Sequence, residues 1–200
     1  MSKRAWIIIG VIVIVLIAII SSYNGLISKS QAVDNAWGNV QTNYQRRADL
    51  VPNLVSTVKG AANFEQQTLT AVVEARASAT SIKLDAKDLT PENLAKYQAA
   101  QNQLCGSLSR LLVVAENYPQ LQATASFRDL QAQLEGTENR IAVSRKDFND
   151  AVLSYNTTAN SFPNVIFARL FGFNTKGYFE ATSAAQTVPT VDFTSTTTTR

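Results

Sequence analysis

Histidine is absent from these 200 residues, and cysteine occurs once, at Cys105. Without histidine the chain cannot build a Ser–His or Cys–His nucleophile pair. One thiol without histidine cannot complete a Cys/His zinc site within a single chain, nor can it close an internal disulfide. Cys105 is therefore read as a small apolar side chain, with an intermolecular bridge as the other option. Glycine (8) and proline (5) are scarce, and Ala, Gln, Asn, Thr and Leu are common, which is a helical composition. Charge of one sign is lacking too. There are 18 basic and 15 acidic residues; setting aside Lys3 and Arg4 leaves 18 − 2 = 16 basic, a balance of +1. No long basic run exists, so a nucleic-acid partner is not supported.

What is present begins with one long apolar run. From Ala5 to Ser28 no residue is charged, and Ala5–Ile20 is mostly Ile and Val. With Ser21–Tyr23 the run comes close to the ~20 residues that cross the hydrocarbon. Trp6 and Tyr23 stand near its ends, as an aromatic belt would place them. Ile19 and Ile20 occupy the positions where signal-peptide cleavage needs small residues, and no cysteine follows for a lipid anchor. An uncleaved anchor over 5–23 is expected, with 1–4 as a cytoplasmic N-terminus. Lys3 and Arg4 precede the run and only Lys29 follows closely, which favours a body exported from a bacterial inner membrane.

Beyond the anchor, residues 24–162 read as a helical bundle. Tyr23, Leu26, Ser30, Val33, Trp37, Val40 and Tyr44 recur at steps of three and four, a heptad seam. Val51, Leu54, Val58 and Ala61 continue it. Thr90-Pro91-Glu92 is a helix start. The next seam is Leu94, Tyr97, Gln101, Leu104, Leu108, Leu111, Ala115 and Tyr118, ended by Pro119. A third is Phe127, Leu130, Leu134, Thr137, Ile141, Ser144, Phe148, Ala151 and Tyr155. Each helix is apolar on one face, so none is stable alone. The expected fold is all-α: an elongated antiparallel bundle of three long helices, the first running from the anchor towards residue 80 and reaching ~80 Å beyond the membrane. The alternative breaks the chain near Pro52 or Asn63 and gives four helices.

The stretch QRRADLVPN (45–53) interrupts the first seam with Arg46, Arg47, Asp49, Pro52 and Asn53. The seam keeps its phase across it, so Pro52 is read as a kink, its ring crowding the Ala48 carbonyl. Both arginines either run out to solvent, or Arg47 faces the bundle and pairs with Glu74, Glu135 or Glu138. LEGTENR (134–140) gathers Glu135, Gly136, Glu138, Asn139 and Arg140. Glutamates three apart share a helix face, as paired acids or metal ligands do, but the histidine partners of di-iron bundles are missing. Structural contacts between helices are the expectation, with close backbone approach at Gly136. No catalytic, cofactor-binding or metal-ligating residue is assigned.

Residues 163–180 read as a short amphipathic segment. Within it Val165, Ile166, Phe167, Leu170, Phe171 and Phe173 surround one charge, Arg169. That segment either caps the bundle, lies in a membrane interface or docks on a neighbouring subunit. Residues 181–200 are a Thr-rich low-complexity tail, with Val188–Phe193 as its apolar cluster.

Several stretches resemble the LemA family of bacterial membrane proteins: YNGLISKSQAVDNAW (23–37), QRRADLVPNLVSTVKG (45–60), TAVVEARA (70–77), ENYPQLQA (116–123), LEGTENRIAVSRKDFNDAVLSYN (134–156), SFPNVIFARLFGF (161–173), YFEA (178–181) and VDF (191–193). The resemblance implies one N-terminal membrane helix, an exported helical domain and no known enzymatic activity. Some relatives are implicated in forming magnetosome membranes. The Thr-rich tail departs from the family pattern. The expectation for function is a non-enzymatic, self-associating membrane scaffold that shapes or organises the bilayer. The alternative is an exported adaptor or sensor binding another envelope protein or peptide.

Overall fold

The computed structural model describes residues 3–60 and 64–180. Ala61, Asn63 and the tail 181–200 with its Val188–Phe193 cluster lie outside the described residues. Among the described residues six α-helices follow one another: α1 (Lys3–Lys59), α2 (Gln66–Ser81), α3 (Pro91–Ala115), α4 (Pro119–Gln122), α5 (Ala125–Asn160) and α6 (Asn164–Phe171). A 3-10 turn, Ala86–Asp88, lies between α2 and α3. No strand occurs among the described residues.

The first helix does not continue to residue 80. Helix α1 stops at Lys59 and α2 starts at Gln66, so four long helices replace the three expected. Gly60 supplies the stop: its N–H turns back to the Thr57 carbonyl at 3.3 Å, and a glycine after a basic last turn is a common helix end. Seam phase concealed this break, because Val58 and Ala61 keep helical spacing across it. At 1.5 Å per residue, residues 24–59 span ~54 Å rather than ~80 Å.

Helices α1 and α5 run antiparallel. Leu26 lies by Ala159, Trp37 by Phe148 and Arg47 by Glu138; each step along one helix is matched by an equal step back along the other. Tyr97 meets Trp37 and Tyr44, and Leu104–Leu111 join Val51–Val58 in one cluster, so α3 runs alongside α1 in the same direction. Gln101 of α3 reaches Ala79 of α2. The result is an up-down-up-down bundle. Local signals support it: the Thr90 and Thr124 hydroxyls accept from the N–H groups of Asn93 and Phe127, capping α3 and α5.

The buried faces follow the three seams closely, with Val152 rather than Ala151 as the most buried residue of its turn. The core has two large clusters along the bundle. A proximal cluster holds Val33, Trp37, Val40, Tyr44, Tyr97 and Phe148. A distal one holds Val51, Leu54, Val58, Leu104, Leu108 and Leu111. Below the proximal cluster a small third one joins Leu26 of α1, Ala159 of α5 and Ala168 of α6, and beyond it α1 continues alone towards its start. Among the described residues it is the one helix long and apolar enough to cross a membrane, and its large apolar side chains from Trp6 to Leu16 are all exposed.

Candidate functional site

The boundary between the two core clusters is polar, and it falls on QRRADLVPN. Arg47 is only 2% exposed. Its Nη1 donates to both Glu138 oxygens, at 3.0 and 3.3 Å. Nη2 donates to the Gln101 carbonyl at 3.1 Å and to Gln101 Oε1 at 2.6 Å. The Gln101 amide then donates to the Ala79 carbonyl at 3.2 Å. One guanidinium thus ties together α1, α3 and α5, and through Gln101 also α2. Its face lies over the Tyr44 ring, 5.0 Å from the centroid. Arg47 Nε has no partner among the described residues, a cost the other four bonds offset.

Pro52 explains the second half of the layer. Helix α1 runs unbroken through it, and proline has no N–H to give to the Ala48 carbonyl. Arg76 of α2 fills that vacancy, its Nε donating to the Ala48 oxygen at 2.7 Å. A proline on one helix therefore creates the acceptor by which the next helix is held. Asp49 accepts from Gln45 on its own helix. Arg46 and Asn53 are exposed and line an open groove with Gln41, Thr42, Leu50 and Gln133.

In LEGTENR, Leu134 and Thr137 are buried. Glu138 is its member bonded across helices, and it is the one of the three candidate glutamates that meets Arg47. Glu135 accepts from Gln131 on its own helix, while Asn139 and Arg140 are exposed. The backbone approach expected at Gly136 is absent: a Cβ there would meet nothing within 4 Å. Cys105 is half-buried beside Leu108, Leu134 and Glu138. Burial, with the Glu138 charge next in importance, pushes its thiol pKa up, which disfavours the reactive thiolate. Burial also raises the phenols of Tyr44 and Tyr97, the latter to about 12.

A second feature carried no sequence signal. After α6 the chain runs extended along α3 and α5, and three side-chain amides grip its backbone. Asn156 accepts from the Lys176 N–H and donates to its carbonyl, both at 2.9 Å. Asn149 does the same for Phe179, at 2.9 and 3.0 Å. Gln98 does so for Glu180, at 3.2 and 2.8 Å. Each amide stands in for a neighbouring strand, giving the strap paired donors and acceptors. Phe179 fills the proximal core against Trp37, Tyr44 and Phe148. Gly177 passes so close to the start of α3 that a Cβ would lie 2.8 Å from the Pro91 Cα. Residues 173–180 thus form a strap along the bundle, beyond the end of α6 at Phe171.

Helix α6 returns to α1 where the apolar run ends. Phe171 and Phe173 pack edge-on against Tyr23, at 5.1 and 5.8 Å, and Ala168 shares a cluster with Leu26. Val165 and Phe167 are half-buried, whereas Ile166, Arg169, Leu170 and Phe171 are exposed. Gly172, at φ 76°, ends the helix in the left-handed conformation that glycine adopts without strain.

The LemA family profile matches residues 36–193. The chain belongs to the LemA family. Among curated relatives of this LemA-family chain, Magnetosome protein MamQ 2 of Paramagnetospirillum magneticum is 33% identical over 81 residues, 40% of the chain and 30% of that protein. Magnetosome protein MamQ of Magnetospirillum gryphiswaldense is 31% identical over the same length and shares. Protein LemA of Metamycoplasma hominis is 22% identical over 139 residues, 70% of the chain and 60% of that protein. The LemA-family chain therefore spans under a third of the MamQ proteins' length and under two thirds of that LemA protein's.

Proposed function

We infer that this protein is a non-enzymatic scaffold of the bacterial envelope: a helical body carried on a single-pass anchor over residues 5–23, self-associating to organise the membrane it sits on. The observation that carries this reading is the continuity of α1. One helix supplies both the apolar run and the central seam of the bundle, with Leu26 already buried six residues after Ile20. A receptor on a flexible tether would have a linker there; a helix fixes the body's height and orientation above the bilayer. The MamQ relatives are named as magnetosome proteins, which agrees with the family resemblance to proteins that form magnetosome membranes. An N-terminus in the cytoplasm and a body outside it follow from Lys3 and Arg4. Native mass measurement and imaging of the full chain in nanodiscs test the scaffold. A defined oligomer or lattice supports it, and a strict monomer at all concentrations overturns it.

The strap favours a second reading, an adaptor. Paired amide bonds to an extended backbone, with one aromatic anchor in a pocket, are how a peptide is held. Under this reading a segment from another chain displaces residues 173–180. A synthetic peptide of that sequence binding the F179A protein, but not the parent, supports it; no binding to either removes it.

A further inference from the structure

We propose that the outward face of α6 is a second membrane contact, entering the headgroup–acyl boundary beside the point where α1 leaves the bilayer. This rests on the reading that residues 5–23 span the membrane. Ile166 and Leu170, four apart on α6, form one stripe, exposed by 56% and 74%, and Phe162, in the turn that leads into the helix, is exposed by 82%. The opposite side of α6 already packs on the bundle through Ala168 and half-buried Val165. A helix apolar on both sides needs a second apolar environment.

Position identifies that environment. Tyr23, the ring that receives Phe171 and Phe173, is three residues beyond Ile20, about 4.5 Å along the helix axis. The headgroup layer on each side of a bilayer is roughly 5–7 Å thick. A helix about 10 Å across at the level of Tyr23–Leu26 therefore lies in that layer and touches the acyl boundary. Charge agrees with a lipid surface. No acidic residue occurs from position 151 to 179 or from 5 to 33, although the chain has 15; Lys29 and Arg169 are exposed cations in those stretches, while Lys176 is paired with Asp34 at 3.0 Å. Arg169 is exposed on the same helix as the stripe, suited to a lipid phosphate.

The test uses the full chain with Cys105→Ala, single cysteines carrying an environment-sensitive fluorophore, and liposomes of phosphatidylcholine and phosphatidylglycerol containing bromolipids. Labels at Ile166→Cys and Leu170→Cys should be quenched several-fold by lipids brominated near the headgroup and shielded from aqueous iodide. A label at Val143→Cys, exposed on α5, should behave oppositely. A label at Ile14→Cys reports the span itself. If Ile14 is deep in lipid and the α6 labels match Val143, the proposal falls and the anchor stands. If Ile14 is aqueous, both fall. If α6 shielding vanishes on dilution to one protein per vesicle, the face meets a second copy instead and the proposal is overturned.

Discussion

Arg76→Met, made with and without Pro52→Ala, isolates the bond by which α2 is held to α1. The substitution removes the guanidinium and keeps an apolar stem of similar length. The structure gives that guanidinium Nε one strong acceptor, the Ala48 carbonyl at 2.7 Å. A hydrogen bond to a charged donor contributes about 1.5–3 kcal/mol. Arg76 is half-buried rather than enclosed, so the lower part applies, and the expected loss is about 2 kcal/mol. In Pro52→Ala the residue-52 N–H is restored and takes the Ala48 carbonyl within α1. Arg76→Met should then cost only about 0.5 kcal/mol, as an ordinary surface change does. The coupling between the two sites is therefore about 1.5 kcal/mol. Thermal unfolding of the full chain in detergent, followed by circular dichroism, reads this as a drop of roughly 4–8 °C in one background and about 1–2 °C in the other. Equal losses in both backgrounds would refute the link between the proline and the arginine.

Arg47→Met should destabilise the body by about 3 kcal/mol, the low end for breaking a buried pair, because Glu138 is 35% exposed and can rehydrate; Glu138→Gln, which still accepts from Arg47, should cost less than half of that in the same melt. The two glycines should respond in opposite directions: Gly136→Ala has open space and should raise the melting point by up to ~1 kcal/mol of stability, whereas Gly177→Ala collides with Pro91 and should lose about 1–3 kcal/mol. In alkali the fold should weaken, because burial raises both Tyr44 and Tyr97 above the ordinary phenol value of about 10. Folding favours their neutral forms, so this contribution is complete below pH 10 and lost as pH rises through 12, the folded value of Tyr97; Tyr97→Phe should flatten that limb of a pH–stability curve.

The long periodic seams were legible because a 3.6-residue repeat with one apolar face has one packing solution. They located the buried faces of α1, α3 and α5 to within a residue. The same signal misled at residues 58–66, where spacing continued across a chain reversal and only Gly60 marked the stop. Arg47 could be placed on the seam, and Glu138 was among its three named partners, but geometry alone chooses between glutamates one turn apart. Arg76 was invisible: its role depends on an acceptor freed by a proline 24 residues earlier. The strap was unreadable for a related reason. Asn149, Asn156 and Gln98 look like polar surface until the chain that they grip is laid across them. At α6 the composition was plain, but whether its apolar stripe met the bundle or faced outward depended on the helix count.

One uninterrupted helix, α1, joins the apolar run to the body. Spin labels at Ile14 and Thr42, both exposed on α1, test it by pulsed dipolar spectroscopy on the full-length Cys105→Ala protein in liposomes. Twenty-eight residues of continuous helix predict a narrow distance distribution centred near ~42 Å. A broad distribution, or one centred well below that, would mean a joint between residues 14 and 42 and would contradict a single continuous helix.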